Sequence, residues 1–479
     1  MLNVVQRIAK NTIVLMAAGI VSGILGFLSA MYTARYLGVA AFGVLSFALA
    51  FAEIFIVFSD LGLNTLTVKN VAKDTSLARK YLGNIIVLKL ILTVFASGLI
   101  VLIIHILRYP QDTVSVVYLV MLSLVWTTFR KMFNSIFRAF EKMEYISAGD
   151  ILNSSFLFFG VLFAIYRKFD VVGFAFVYFI VCALSLGYAV VACMGRFVIP
   201  KIEIDWKFWR DTFRDAWPLG GMAVCIIIYF RIDTVMLSLM KDDAAVGIYS
   251  AAFRLSEVTT VIPSIFISSA FPVMAKYHED SFGSSVKIYG KAIKYLSFLA
   301  LPMALIMTLL AKPITTIIYG NNFGEAAVTL QILIWAAAIM YITMVLGTTF
   351  IVANKQIVNF KLAIIAVFLN IALNAILIPK YSYNGAAAAT VITEVFGLFV
   401  GIFFLSRWGY RLDMGNICWP HLWGLFAAAS GVIVLNMFGA NVLMTSVVAL
   451  FVYGAVLYKT GIQEDDKRLI RNILRFSNS

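Results

Sequence analysis

Charge is scarce in this sequence. Of 479 residues, 13% are charged and 62% are hydrophobic, with a mean hydropathy of +0.95. An ordinary globular chain is about a quarter charged, so a soluble fold of this length is excluded by the apolar surface it would have to cover. Cysteine is equally sparse. Cys182, Cys193, Cys225 and Cys418 form no Cys-x-x-Cys pair, which excludes a disulfide framework and a zinc site. The three histidines, His105, His278 and His421, lie too far apart for ligand spacing. There is no Gly-x-x-x-x-Gly-Lys-Ser/Thr loop, so direct ATP hydrolysis is not expected, and no Asp-x-Asp, which argues against a metal-dependent glycosyltransferase. Ser-x-x-Lys occurs at Ser238 to Lys241 and at Ser284 to Lys287, and Lys459-Thr460-Gly461 follows later, but no Ser-Asp-Asn accompanies them. No enzyme chemistry, cofactor or metal is therefore expected.

What the sequence does contain is long apolar runs. A membrane-spanning helix needs about 20 apolar residues. Fourteen spans are expected, at about 11–34, 42–66, 83–106, 113–136, 146–167, 171–194, 216–240, 245–274, 291–318, 325–352, 358–378, 384–406, 419–438 and 441–458. The first, from Thr12 to about Tyr32 behind Arg7 and Lys10, is longer than the core of a cleaved signal peptide and reads as a retained span. The net charge of +14 does not point to nucleic acid, because the basic residues sit in small groups between the apolar runs. Alternate segments divide them 28 against 6, the richer set including Lys69, Lys73, Arg79 and Lys80 in one loop and Lys467, Arg468, Arg471 and Arg475 in the tail. Cytoplasmic loops carry the basic excess, so both termini are expected in the cytoplasm.

The sequence also repeats weakly. Gly43, Ser46, Ala48 and Glu53 align with Gly247, Ser250, Ala252 and Glu257 at an offset of 204. Phe137 and Lys142 align with Phe350 and Lys355, and Gly173 and Ala175 with Gly385 and Ala387, at offsets of 213 and 212. Their order and near-constant offset imply two six-helix halves in the same orientation, related by an axis along the membrane normal. The expected fold class is therefore all-α and polytopic, with about fourteen spans in two pseudo-symmetric six-helix bundles plus two C-terminal helices. Residues 1–194 form the first bundle, 195–215 a cytoplasmic linker, 216–406 the second bundle, and 407–479 the added helices and basic tail.

Ionisable residues within spans are costly and mark cavities or partners. Depth separates the candidates. Lys89 is expected near the inner end of its span and able to snorkel; Asp60 reads as a structural cap, and Asp150 lies near the interface. Arg231 is deeper, about nine residues or ~13 Å from the outer end of its span at ~1.5 Å per residue. Arg254 is nine residues into the next span from the same side. Glu53, Asp233 and Glu257 are the carboxylates placed to balance them, Arg254 and Glu257 sharing a helix face three residues apart. Glu394 lies in the twelfth span. Pro218 with Gly220-Gly221, Pro263, Pro272, Pro302 and Pro313 imply bent helices.

Arg231-Ile232-Asp233-Thr234-Val235-Met236-Leu237, followed by the run from Val246 through Gly247, Tyr249, Arg254 and Glu257, resembles the mid-chain signature of Wzx-type polysaccharide-export flippases. These belong to the multidrug/oligosaccharidyl-lipid/polysaccharide transporter superfamily. Arg35-Tyr36-Leu37-Gly38, Phe42-Gly43, Asp60-Leu61-Gly62-Leu63-Asn64, Phe137 to Lys142, and Leu377-Ile378-Pro379 with Gly385-Ala386-Ala387 fit further stations. The resemblance implies two six-helix bundles around a central cavity, alternating access, and a polyprenyl-diphosphate-linked oligosaccharide as cargo. It is compatible with coupling to H+ or Na+ and with a glycan polymerase as partner. Arg231 and Arg254 would engage the diphosphate, and Glu53, Asp233 and Glu257 would balance charge or couple ions. A cation-coupled multidrug or small-molecule antiporter of the same superfamily is the alternative. A membrane glycan polymerase or ligase fits less well, because the outer loops are short.

Overall fold

The computed structural model describes residues 4–412, 414–439 and 441–460. Among them there is no β-strand. By length and composition, eleven helical stretches among the described residues can cross a membrane. Two of these, Lys10–Ser59 and Gln356–Arg407, are each a pair of helices joined at a kink, at Gly38 (φ 75°) and Ser382 (φ 51°). Counting both members of each pair, and adding the shorter apolar helix Trp419–Leu435, gives the fourteen apolar segments expected. The chain is a multi-pass membrane protein. Phe95, Phe159, Phe399 and Phe451 are each more than 60% exposed, an arrangement that water would penalise and lipid accepts.

The first helix, α1, runs Val4–Ile56 through the Gly38 kink. A turn at Leu61 (φ 40°) and Gly62 (φ 85°) leads into α2, Leu63–Lys73. Then come α3 (Ala78–Ile106), α4 (Gln111–Ala139), α5 (Met143–Tyr166) and α6 (Val171–Arg196). The seventh helix, α7, spans Trp206–Met240 and starts well before the expected 216, inside the stretch read as a linker. Asp205 caps it by accepting from the Phe208 backbone N–H at 3.0 Å, and this cap draws a charged, non-spanning turn into the helix.

The expected eighth and ninth spans are each broken. Helices α8 (Asp243–Thr259) and α9 (Val261–Asp280) meet at Thr260, and α10 (Phe282–Leu309) and α11 (Ala311–Tyr319) meet at Leu310. Each break lies three residues before a proline, Pro263 or Pro313. Proline removes the donor for the carbonyl four residues earlier, here Thr259 and Leu309, the last residues of the preceding helices. The Thr259 carbonyl finds a replacement in the Tyr341 hydroxyl, which donates to it at 2.7 Å. Beyond lie α12 (Ala326–Val352), α13 (Gln356–Arg407, turning at Ser382), α14 (Met414–Met437) and α15 (Val442–Thr460).

The fold divides into two compact units. One comprises the described residues to Ala251 with Ile318–Asn322 and Ala363–Ala386. Its core joins α3, α4, α5 and α6 through Leu82, Met132, Phe133, Phe137, Ile146 and Ala189. Within it two glycines of the sequence repeat meet reciprocally. A Cβ on Gly43 would lie 1.8 Å from the Asp243 carbonyl oxygen, and one on Gly247 would lie 2.0 Å from that of Val39. Val39 and Asp243 are themselves separated by the repeat offset of 204. Each copy thus presents a bare backbone to the same feature of the other, as a two-fold relation between the repeats requires. Such close approach is how helices associate where no water drives them together.

The other unit comprises Ala252–Ile317, Phe323–Leu362 and the described residues from Ala387 on. Its core joins α9, α10, α12 and the end of α13 through Tyr289, Leu296, Tyr341, Leu346 and Leu405. Helices α14 and α15 pack on α10 through Ala428, Ala449, Tyr453 and Leu457 against Phe298, Leu301 and Leu305.

Candidate functional site

The first unit holds most of the intramembrane charge. Arg231, on α7, donates from Nε to the Glu53 carboxylate on α1 at 2.5 Å, across 178 residues of sequence. Both side chains are half-buried, at 28% and 29% exposure. A guanidinium stays charged at any relevant pH and offers five donors in a planar fork.

Asp233, two residues further along α7, is buried. It accepts from the Tyr249 hydroxyl on α8 at 2.6 Å and from the Asn374 amide on α13 at 2.6 Å. Asn374 also donates to the Asn370 amide oxygen at 3.0 Å. Asn370 and Asn374 are fully buried, and Nδ2 of the first and Oδ1 of the second have no hydrogen-bond partner. A carboxylate beside two amide oxygens is an all-oxygen set, suited to a hard cation or a proton rather than to zinc or copper. Among the described residues no group of three or more His, Cys, Asp or Glu side chains could hold a metal.

Lys89 does not snorkel. Its side chain is fully buried, and its ammonium lies 2.7 Å from Asp60 and 3.0 Å from the Asn64 amide oxygen. A third contact, at 3.3 Å, is to the Thr128 carbonyl. An inward-facing partner at the same depth removes the reason to reach for the interface. Asp60, read as a cap, thereby joins α3 to the turn before α2. Asp150 is held by Arg130 at 2.8 Å.

In the second unit Arg254 donates to Glu257 at 3.0 Å, one turn away on α8 as their spacing predicts. Glu394 is buried and accepts from Thr343 at 3.2 Å. Of the five site residues expected from sequence, the structure brings Arg231 to Glu53 and Arg254 to Glu257. It gives Asp233 two neutral donors, Tyr249 and Asn374, outside the expected set. Asn370 and Asn374 are neutral, so the cost of charge in a membrane does not single them out. Two amides four residues apart on an otherwise apolar helix were the available signal.

Comparison with known proteins fits this geometry. The family model described as "Polysaccharide biosynthesis protein" matches residues 8–278, and a second model, MatE, matches 218–376. A Haloferax volcanii protein named "Probable low-salt glycan biosynthesis flippase Agl15" is 22% identical over 463 residues, which is 95% of each chain. "Capsular polysaccharide biosynthesis protein CapF" of Staphylococcus aureus is 21% identical over 291 residues, 57% of this chain and 73% of its own. Among solved structures, "Lipid II flippase MurJ, inward closed conformation" superposes with a TM-score of 0.75 at 16% identity, covering 93% of this chain and 99% of that one. An inward-facing multidrug resistance MATE transporter gives 0.67 at 15% identity, covering 83% and 98%. These likenesses establish the fold.

Proposed function

This chain belongs to the polysaccharide biosynthesis protein family, and from that premise we propose that it is a flippase carrying polyprenyl-diphosphate-linked oligosaccharides across the cytoplasmic membrane by alternating access. The observation that carries the reading is the Arg231–Glu53 pair, set about nine residues inside α7 in a chain that matches a probable glycan biosynthesis flippase over 95% of its length. A diphosphate cannot cross hydrocarbon bare, since an unpaired ion there costs many kcal/mol. In the proposed cycle Arg231 and Arg254 take the diphosphate oxygens, and Glu53 and Glu257 hold the arginines between cargoes. Exchange of a carboxylate for a phosphate leaves neither arginine uncompensated at any step.

Asp233 is the coupling residue in this proposal. Its buried carboxylate offers a place for a proton or for Na+, with the Asn370 and Asn374 amides as further oxygens for either. Residues 1–194 and 216–406 act as the two moving halves, a division supported by the sequence repeat in which Gly43 and Gly247 are equivalent positions. Both termini lie in the cytoplasm, supported by the basic asymmetry of the loops. A glycan polymerase would consume the cargo on the far side.

The competing reading is cation-coupled drug antiport, which the MATE likeness makes reasonable. Deleting the gene separates the two. A flippase predicts accumulation of lipid-linked oligosaccharide inside the cell and loss of surface glycan, with resistance to cationic drugs unchanged. Hypersensitivity to drugs with a normal surface glycan would reverse the assignment.

A further inference from the structure

A second set of cations lies in the first unit, where α4 faces α2. A cavity of about 260 Å³ there is lined by Lys131, Asn134, Ser135 and Arg138 on α4 and by Asn64 and Thr65 on α2. Positions 131, 134, 135 and 138 form one stripe along α4, because residues three, four and seven apart share a helix face. No carboxylate lines this cavity. Several other cations in the unit have acidic or aromatic company. Lys89 pairs with Asp60, Arg130 with Asp150 and Lys80 with Asp205, while Arg196 donates to Tyr145. Among the described residues, Lys131 and Arg138 make neither an ion pair nor a hydrogen bond.

One polar group beside them is fixed as a donor. Asn64 accepts from the Lys89 ammonium through Oδ1. An ammonium can only donate, so this contact fixes the amide's orientation and leaves both N–H bonds of Nδ2 for the cavity it lines. Ser135 gives its proton to the Met132 carbonyl at 2.6 Å, which leaves the cavity's N–H donors to the two asparagines and the two cations. The neighbouring cavity on the other side of α2 differs. It mixes Lys80 and Lys207 with Asp205, Asp211 and Asp215, and so carries an acidic excess.

We propose that the Lys131/Arg138 cavity binds the phosphate group of a membrane lipid. Arg and Lys are the side chains that hold phosphate, Arg as a fork and Lys as a point charge. Two like charges facing one cavity without an acid repel until an anion arrives. The site lies at the end of α4 that the loop charges assign to the cytoplasm, and it is separate from Arg231. It also touches the chain at a hinge. Asn64 follows the Leu61–Gly62 turn, where backbone φ is positive at both residues, so a phosphate held there braces α2 against α4.

The test uses the full chain purified in neutral detergent, with its melting temperature followed against inorganic pyrophosphate while chloride keeps ionic strength constant. The wild type should be stabilised saturably. The double variant Lys131→Gln/Arg138→Gln should need about tenfold more pyrophosphate or more, as expected for losing two charge-assisted contacts. Arg79→Gln, which lines a different surface cavity, should behave as wild type. Each single Gln variant, weakened less, serves if the double variant does not accumulate. Mixed micelles with phosphatidylglycerol in place of phosphatidylcholine distinguish the sources. Stabilisation of the wild type but not the double variant by phosphatidylglycerol assigns the site to bulk anionic lipid, whereas a response to pyrophosphate alone assigns it to a diphosphate-bearing lipid. An undiminished response in the double variant overturns the proposal. If that response is instead lost in Arg231→Gln, the pyrophosphate sits at the central arginine, and the flippase reading survives where this site does not.

Discussion

Gly43→Ala is expected to lower the melting temperature of the purified protein sharply and to deplete it from membranes. The added methyl carbon would lie 1.8 Å from the Asp243 carbonyl oxygen and 3.0 Å from the Gly247 nitrogen. Both are backbone atoms of α8, so no side-chain rotation relieves the overlap, and the helices must separate. Separation would also lose the matching approach of Gly247 to Val39. Overpacking in a well-filled core costs about 1–3 kcal/mol where side chains can adjust. Here the obstacle is backbone on both sides, which puts the cost at about 4 kcal/mol or more. Gly19→Ala is the control: its Cβ would meet nothing within 4 Å, so the same substitution there should be neutral or slightly stabilising in a helix. Wild-type melting and abundance for Gly43→Ala would mean that the helices do not meet as described.

Arg231→Ala is expected to reduce glycan export per molecule about thirtyfold or more, in line with the ~2–5 kcal/mol lost when one partner of a desolvated charge pair is truncated. Part of any loss in cells could come from instability, because the substitution strands Glu53 in a half-buried position. The double variant Glu53→Ala/Arg231→Ala separates the effects. Removing both partners relieves the stranded charge, so abundance should recover while export does not. Arg231→Lys should restore export only in part, since an ammonium lacks the bidentate fork. If the double variant regains export together with abundance, the pair is a helix clamp and the diphosphate is held elsewhere.

The sequence carried the helices more plainly than the partnerships between them. Apolar runs located the spans because a bilayer imposes one length on all of them, and Pro263 and Pro313 marked where two of them break. The start of α7 was not legible, because Trp206 to Trp217 has neither the hydropathy of a span nor the composition of a loop, and only the Asp205 cap decides it. Depth along a helix could be counted for Lys89, but its rotation could not. Its partner, Asp60, sits 29 residues earlier, behind a positive-φ turn that hydropathy does not register. The Arg254–Glu257 contact was readable because it is local. Arg231 was equally visible as a costly residue, yet its contact with Glu53, 178 residues away in sequence, depends on how α1 and α7 pack. The weak repeat pointed to Gly43 and Gly247 as equivalent positions, and their mutual contact emerges only in three dimensions.

Flipping of the proposed cargo by the purified chain is the most direct test of the account. The protein would be reconstituted into liposomes containing a polyprenyl-diphosphate oligosaccharide with a fluorophore on the sugar, and a membrane-impermeant quencher would be added outside. In protein-free vesicles only the outer half of the label is reachable. With the wild-type protein, under an imposed H+ or Na+ gradient, the quenched fraction should rise well beyond one half, and Arg231→Ala should return it toward the protein-free value. A quenched fraction that stays at one half with folded wild-type protein under both gradients, while the same vesicles exchange a cationic drug for H+ or Na+, would contradict the account and identify the chain as an antiporter.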